Sequence, residues 1–175
     1  ASTPNIQTVG AGVALTAQTV LAALDVAKAA LNAQEVPEEG RILYVSDSVL
    51  GFIEAAISRP LSNENTVDRR VKRFDNMDVI MVPQGRFVTS ILLDNGANPA
   101  TGGFTKNVGG GARDINFLML HPSAVLQATK HANLKIFDPD TNQAMDSWKL
   151  QYRLYHDAFV YTNKTDGVYL HMSNV

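Results

Sequence analysis

The order of predicted elements along the chain favours a mixed fold of helices and strands, of the α/β or α+β class. Three observations predict it: an alanine- and leucine-rich helical segment near the start, several short apolar runs typical of buried strands, and a second helical segment between the first two of these runs. The resulting helix–strand–helix–strand order suits layers of helix packed on sheet. The 175 residues are enough for one domain, or two closely packed lobes, with a substantial core.

The first helix is predicted over residues 17–34, which contain no Gly or Pro and are rich in the best helix formers. One apolar stripe at three-to-four-residue spacing runs along it: Val20, Leu21, Leu24, Ala27 and Leu31. Pro37 and Gly40 are the expected stop signals. The residues before the helix are rich in Ser, Thr, Gly and Asn, so we expect an extended lead-in there.

The second helix is predicted over residues 47–57, directly after a strand at residues 41–45. Ser46 is a suitable N-cap for it, because a serine hydroxyl can accept one of the free backbone N–H groups of the first turn. Three features are predicted next: an extended segment at residues 67–73, a turn at Asp75 and Asn76, and an apolar strand at residues 79–82.

The middle of the chain is rich in glycine and asparagine pairs, which predict a surface excursion over residues 94–113. Four features are predicted after it: a buried strand at residues 115–120, a third helix at residues 124–131, a brief strand at residues 136–137 and a turn at residues 138–140. The third helix is predicted from the start signal His121-Pro122-Ser123. Residues 148–172 are predicted to be strands again.

The composition excludes several classes of protein. There is no cysteine, which excludes disulfides, a thiolate nucleophile and cysteine-ligated metal centres. The formal net charge of −2 argues against a dedicated nucleic-acid binder, and no apolar run approaches the roughly 18–20 residues that span a bilayer. The start has neither the layout of a signal peptide nor a methionine, so we expect a soluble, intracellular protein that is a processed product or a piece of a longer chain.

Two motifs resemble ligand sites but lack the context that such sites need. The glycines at residues 109–111 are not followed by the Lys and Ser/Thr of a nucleotide loop, and a strand follows them instead of a helix. The sequence DPDTN at residues 138–142 begins like a calcium loop, but Gln143 and Lys149 stand where glycine and glutamate are required. We therefore expect a flexible turn at the first and an Asx-stabilised turn at the second.

The sequence offers no arrangement of histidines that predicts catalysis or metal binding. None of the four forms a His-Glu-x-x-His pair: His121, His131, His156 and His171. His156 and Asp157 are adjacent, but neighbours in a strand point to opposite faces, so no proton relay is expected. A hydrolase or transferase using His156, Asp157 and Lys164 would need a pocket where these side chains converge. We expect no enzyme activity, no cofactor and no metal.

The basic cluster DRRVKR at residues 68–73 raises the possibility of a DNA-binding module, which would show a steep salt dependence. Isolated clusters are more often solvated faces or ion-pair sites between subunits. In an extended segment the basic side chains would also be split between two faces. Contact with an acidic surface of a neighbouring subunit is therefore our interpretation.

Several strings in the second half occur in a characteristic order: DINFLMLHPSAV at residues 114–125, KIFDPDTNQ at residues 135–143, YRLYHDAFV at residues 152–160 and NKTDGVY at residues 163–169. In the first half, the long helix, VPEEGRILYVS at residues 36–46 and the segment at residues 79–86 agree with them. From about residue 16 onward, this sequence resembles the major capsid proteins of tailed bacteriophages and prophages, which have the Johnson fold.

The resemblance implies an α+β fold with two lobes. The peripheral lobe would hold a long spine helix and an elongated antiparallel sheet, and the axial lobe of mixed sheet and helix would meet its copies around five-fold and six-fold axes. Three ranges follow: residues 1–40 as lead-in and spine helix of the peripheral lobe, residues 41–137 mainly as the axial lobe, and residues 138–175 as return strands of the peripheral lobe. The family's N-terminal arm and extended loop would be absent.

The resemblance implies a structural function, in which copies assemble as hexamers and pentamers into the icosahedral head of a phage or prophage. The shell would enclose DNA without sequence-specific contact, with scaffold and portal proteins as further partners and no membrane. The expected location is the virion capsid, assembled in the bacterial host cytoplasm. An alternative is an encapsulin-like compartment shell holding protein cargo. Candidate subunit contacts are the charged residues in predicted edge or loop positions: Arg69, Arg70, Lys72, Arg73, Arg86 and Arg113.

Overall fold

The computed structural model describes residues 5–8, 15–57, 71–93, 103–141 and 145–173. Ten strands and two α-helices follow one another in that part of the chain: β1 (Asn5–Thr8), α1 (Val20–Ala33), β2 (Ile42–Ser46), α2 (Asp47–Ala56), β3 (Arg73–Phe74), β4 (Met77–Val82), β5 (Ile91–Leu93), β6 (Phe104–Lys106), β7 (Ile115–Leu120), β8 (Val125–Phe137), β9 (Lys149–Val160) and β10 (Val168–Met172). This mixture confirms the predicted α+β class. The contacts between residues divide the chain into two compact units. The larger unit consists of Ala1–Ala124 and Thr162–Val175, and the smaller unit, which we call the ribbon, is Val125–Tyr161.

A six-stranded mixed sheet forms the frame of the larger unit, in the order β1-β10-β7-β2-β4-β3. β2 lies parallel to β4 and antiparallel to β7, so that Leu43 pairs with Val79 on one side and with Met119 on the other. β10 runs antiparallel to β7 and parallel to β1. The strands predicted at residues 41–45, 79–82 and 115–120 are confirmed as β2, β4 and β7.

α1 buries the stripe that the sequence predicts. Four residues of the stripe are fully buried, and they follow the helical spacing: Val20, Leu24, Ala27 and Leu31. Leu21 is half-buried at the margin of the same stripe. The periodicity of apolar residues therefore predicted both the helix and the face that it packs against the sheet.

The end of α1 is set by backbone geometry rather than by the predicted stop residues. Glu35 has a φ of 56°, in the left-handed region. The N–H of Val36 donates to the carbonyl of Leu31 at 3.1 Å, and the N–H of Glu35 donates to that of Asn32 at 3.0 Å. These two bonds satisfy carbonyls of the last turn in the Schellman pattern, so the helix ends before Pro37 is reached.

The core of the larger unit lies between the two helices and one face of the sheet. That face carries four fully buried side chains from β2 and β7: Leu43, Val45, Phe117 and Met119. α2 adds Val49 and Ile53 to the same cluster. Each large apolar side chain buried in this way contributes roughly 1.5–3 kcal/mol, so burial of this cluster stabilises the larger unit.

The third helix predicted over residues 124–131 is wrong, because this segment is the first half of β8. The start signal is real but produces only a 3-10 turn at Pro122–Ala124. The residues after it pair with β9 along the whole of that strand, with Val125 opposite Val160 and Phe137 opposite Lys149. Non-local pairing of this length outweighs the weak helical preference of a short alanine-containing run.

The remaining turn predictions are confirmed where the structure describes them. Asp75 and Asn76 form the β3–β4 turn with φ of 44° and 64°. Asp138 accepts the N–H of Thr141 at 2.9 Å in the expected Asx turn, and hydrogen bonds from Thr141 lower the pKa of that carboxyl. Residues 67–70 of the extended segment predicted at residues 67–73, and residues 94–102 of the excursion predicted at residues 94–113, lie outside the described residues. No helix in the described ranges is long and apolar enough to cross a membrane.

Candidate functional site

The candidate contact residues that the structure describes lie on two separate surfaces of the larger unit. Arg69 and Arg70 fall outside the described residues. Lys72 and Arg73 lie at the edge of the sheet, where Arg73 is part of β3. Among the described strands β3 is the outermost on this side of the sheet, and a strand in that position leaves backbone groups on its outer side unpaired by the sheet itself.

Arg73 is held by its own hairpin. Its Nε lies 3.3 Å from the carboxylate of Asp78, and its guanidinium donates to the side-chain oxygen of Asn76 at 3.0 Å. Close by, Lys28 of α1 forms an ion pair with Asp75 in the same turn. Lys72 is exposed and has no ion pair among the described residues. Of the described cations at this edge, Lys72 is therefore the one that offers a free charge to a partner.

The second surface surrounds the β5–β6 hairpin. The guanidinium of Arg86 lies 5.5 Å from the centre of the Phe104 ring, in a cation–π contact. Lys106 of β6 forms an ion pair with Asp114 at 2.9 Å. The backbone of Arg113 exchanges hydrogen bonds with Thr89. Arg73 and Arg86 lie toward opposite ends of β4, so these two candidates belong to different surfaces.

The arrangement that a hydrolase would need does not form in the ribbon. His156 and Asp157 are exposed neighbours in β9 and point to opposite faces, as predicted. Asp157 accepts the backbone N–H of Ala158 at 2.8 Å rather than an imidazole N–H. An open groove of about 630 Å³ on the ribbon has a lining that includes His131 and Arg153 but neither His156 nor Asp157. Across the described residues, no three His, Asp or Glu side chains converge to hold a metal.

Backbone N–H groups of the glycine-rich turn at residues 109–111 donate hydrogen bonds within the turn itself. Gly110 donates to the side-chain oxygen of Asn107 at 2.9 Å, Gly111 donates to the carbonyl of Val108 and Ala112 donates to that of Asn107. A phosphate cradle needs such groups pointing at the ligand. The interpretation of this segment as a turn therefore has a structural basis.

His171 is a polar residue whose burial the sequence analysis did not predict. It is only 6% exposed, and its ring stacks on Phe117 with centroids 4.6 Å apart. The side-chain amide of Asn116 lies 3.1 Å from its Nδ1. Burial lowers the pKa of His171, because the charged imidazolium loses its hydration in this position.

We predict that the larger unit loses stability as the pH falls through about 6.5, the ordinary pKa of histidine. The unfolded chain takes up a proton at His171 more readily than the folded chain does, so unfolding is favoured at lower pH by at most about 1.4 kcal/mol per pH unit. Urea denaturation of the wild type and His171→Gln at pH 7.5 and 5.5 measures this. The variant should lack this part of the pH dependence, and equal pH dependence of the two proteins would contradict the assignment.

Comparisons with known proteins find matches to the fold of this chain but not to its sequence. No protein-family profile matches the chain, and no curated protein is similar enough to count as a relative. Solved structures do match. The capsid structure of the cyanophage P-SCSP1u superimposes with a TM-score of 0.60 at 14% identity, covering 97% of this chain and 52% of the other. The asymmetric unit of the mature capsid of bacteriophage PhiM1 gives a TM-score of 0.55 at 16% identity, covering 96% and 50%.

This chain has the fold of a phage capsid protein. A structure from Mycobacterium phage Che8 also matches, with a TM-score of 0.57 at 13% identity over 96% of this chain and 53% of that one. The chain thus spans about half the length of the capsid-fold structures that it matches. The resemblance to phage capsid proteins is confirmed at the level of the overall fold, since the matches extend over 96–97% of the chain.

Proposed function

We propose that this protein is a structural capsid subunit, without enzyme activity, whose copies assemble into the icosahedral head of a phage or prophage. The observation that carries the proposal is the capsid fold, matched over 96–97% of the chain. The absence of a convergent catalytic group around His156 and Asp157 in the ribbon agrees with a structural role. In this proposal DNA is enclosed rather than read by sequence, the scaffold and portal are further partners, and the virion capsid is the location.

Within the capsid fold, we propose lobes that follow the two compact units. α1 shares its core with β2, β7 and β10, which supports placing it with the axial-lobe sheet. The elongated antiparallel element is the ribbon, which begins at Val125 and thus supports a peripheral lobe that includes β8. The ranges 1–40, 41–137 and 138–175 implied by the resemblance, with α1 as the spine helix of the peripheral lobe, are the alternative to this division.

The proposed contacts between subunits include the sheet edge and the surface around the β5–β6 hairpin. Lys72 is free at the edge, whereas Arg73 is oriented by Asp78 and can present its remaining N–H groups to a partner. Arg86 is kept extended over the ring of Phe104. Arg69, Arg70 and Arg113 remain candidates of the same kind. Preorganised cations of this kind set the orientation of neighbouring subunits more than they set affinity.

Sedimentation velocity over a concentration series tests this proposal. We expect the wild type to associate in a concentration-dependent manner. Lys72→Glu should lower the association constant about two- to five-fold, since exposed ion pairs contribute about 0.2–1 kcal/mol. Lys164→Glu is the matched control, because Lys164 is an exposed lysine outside both surfaces. A single monomer boundary for the wild type at every concentration would contradict self-association. Unchanged association of Lys72→Glu alone would remove only that residue from the interface.

A further inference from the structure

The ribbon has two faces of opposite chemical character. Beyond the bulge between Thr129 and His131, the register places three cross-strand pairs on one face: Ala132 with Leu154, Leu134 with Tyr152, and Ile136 with Leu150. We call these six residues the apolar face. The residues between them point the other way and are polar or basic, among them Lys135, Gln151 and Arg153.

The apolar face is exposed rather than packed. Its five large side chains are between 41% and 67% exposed. A two-stranded ribbon has no second layer with which to cover such a face and is marginally stable in water without one. Six adjacent apolar side chains make a patch on the order of several hundred Å², a size that marks interaction surfaces on soluble proteins.

We propose that the apolar face is a contact between copies of this chain, in which it packs on the apolar face of a second copy. The proposal rests on the self-association assumed in the proposed function. It names a surface that is distinct from the charged candidates on the larger unit.

Symmetry and size support a second copy as the occupant. The central pair Leu134–Tyr152 is flanked at each end by one aliphatic pair, so the face has the same apolar character from either end. A two-fold contact requires this self-complementarity. Two such patches packed at about 10 Å, the spacing of stacked sheets, would bury on the order of 1,000 Å², where specific interfaces begin.

The distribution of charge excludes nucleic acid from this face. None of the six residues is charged, whereas the cations of the two strands in this region, Lys135, Lys149 and Arg153, lie on the opposite face. A polyanion would bind those cations and leave the apolar face uncovered. Burial of the apolar face against another apolar layer removes side chains from water without enclosing any charge.

The first experiment compares Leu150→Glu with Gln151→Glu in the full chain by sedimentation velocity. Leu150 is on the apolar face and Gln151, its neighbour, is on the opposite one, so both variants add the same charge at an exposed position. We expect Leu150→Glu to weaken association roughly ten-fold or more, because the contact would enclose an unpaired carboxylate. Gln151→Glu should change association less than two-fold. Equal association of the two variants would overturn the proposal.

The second experiment uses the absence of cysteine in the chain. Leu134→Cys and Lys135→Cys are each treated with a bis-maleimide of about 10 Å reach, matched to the spacing of packed sheets. Leu134→Cys should give a covalent dimer and Lys135→Cys, on the opposite face, should not. If the wild type associates but Leu134→Cys is not cross-linked, another surface or another partner is responsible and this inference alone fails. If the wild type does not associate at all, the proposed function fails with it.

Discussion

Replacing Phe117 by Ala should lower the free energy of unfolding by about 3–5 kcal/mol. The side chain is fully buried on β7, near the centre of the sheet. Its ring makes stacked contacts with two residues of β10, with the Tyr169 ring centre at 6.1 Å and that of His171 at 4.6 Å. Truncation therefore removes the transfer free energy of the ring, opens a cavity and ends both aromatic contacts.

Leu118→Ala is the matched control for this experiment. Leu118 is the next residue of the same strand, points to the other face of the sheet and is half-buried, so its truncation should cost about 1–2 kcal/mol. Urea denaturation followed by circular dichroism measures both variants. A loss below 1 kcal/mol for Phe117→Ala, or a loss no larger than that of Leu118→Ala, would show that the core is not centred on this ring.

Replacing Arg41 by Met should lower the free energy of unfolding by about 3 kcal/mol. Arg41 is only 3% exposed and links the C-terminal end of α1 to the start of β2 through hydrogen bonds. It donates to the carbonyls of Pro37 at 2.9 Å and Val36 at 2.5 Å, and to the side-chain oxygen of Asn32 at 2.6 Å. Hydrogen bonds from a charged donor contribute about 1.5–3 kcal/mol each, and methionine would leave all three acceptors without this donor.

Two further variants separate the hydrogen bonds of Arg41 from its bulk and charge. Burial lowers the pKa of Arg41 and nearby Glu38 raises it, but a guanidinium stays protonated in proteins, so the wild-type bonds persist at neutral pH. Arg41→Lys keeps a positive charge but loses the planar guanidinium with its several N–H donors. Its free energy of unfolding should therefore lie between those of the wild type and Arg41→Met. Arg153→Met removes an exposed arginine and should change stability by less than about 0.5 kcal/mol. Equal stability of Arg41→Met and wild type would contradict this role.

Local patterns predicted the elements that carry a clear apolar spacing or an apolar run of their own. The spacing of Val20, Leu24 and Leu31 predicted both α1 and its buried face. The apolar runs predicted β2, β4 and β7. The error at residues 124–131 has a physical reason: those residues show no apolar alternation of a strand, and their extended conformation is fixed by pairing with β9, as between Val125 and Val160. Short-range preference carries no information about such pairing.

The sequence predicted candidate contact residues, and the structure adds where the described ones lie. Charge and predicted edge or loop position named both Arg73 and Arg86 as candidates. The structure shows that β4 lies between them and that Arg73 is paired with Asp78. The alternation Leu150, Tyr152 and Leu154 is visible in the sequence as one apolar face of a strand. Only the register shows that Leu134 and Ile136 extend it across a second strand. The burial of His171 likewise depends on contacts from β7 that the sequence does not display.

Negative-stain electron microscopy of the purified chain, over a series of rising protein concentrations, tests the central claim most directly. If the chain is a capsid subunit, we predict closed shells or rings of five or six copies, because heterologous contacts repeated around an axis close on themselves. The charged surfaces and the apolar face of the ribbon would then be examined as contacts within those particles. Particles no larger than a dimer at every concentration would contradict the claim that this chain builds a shell.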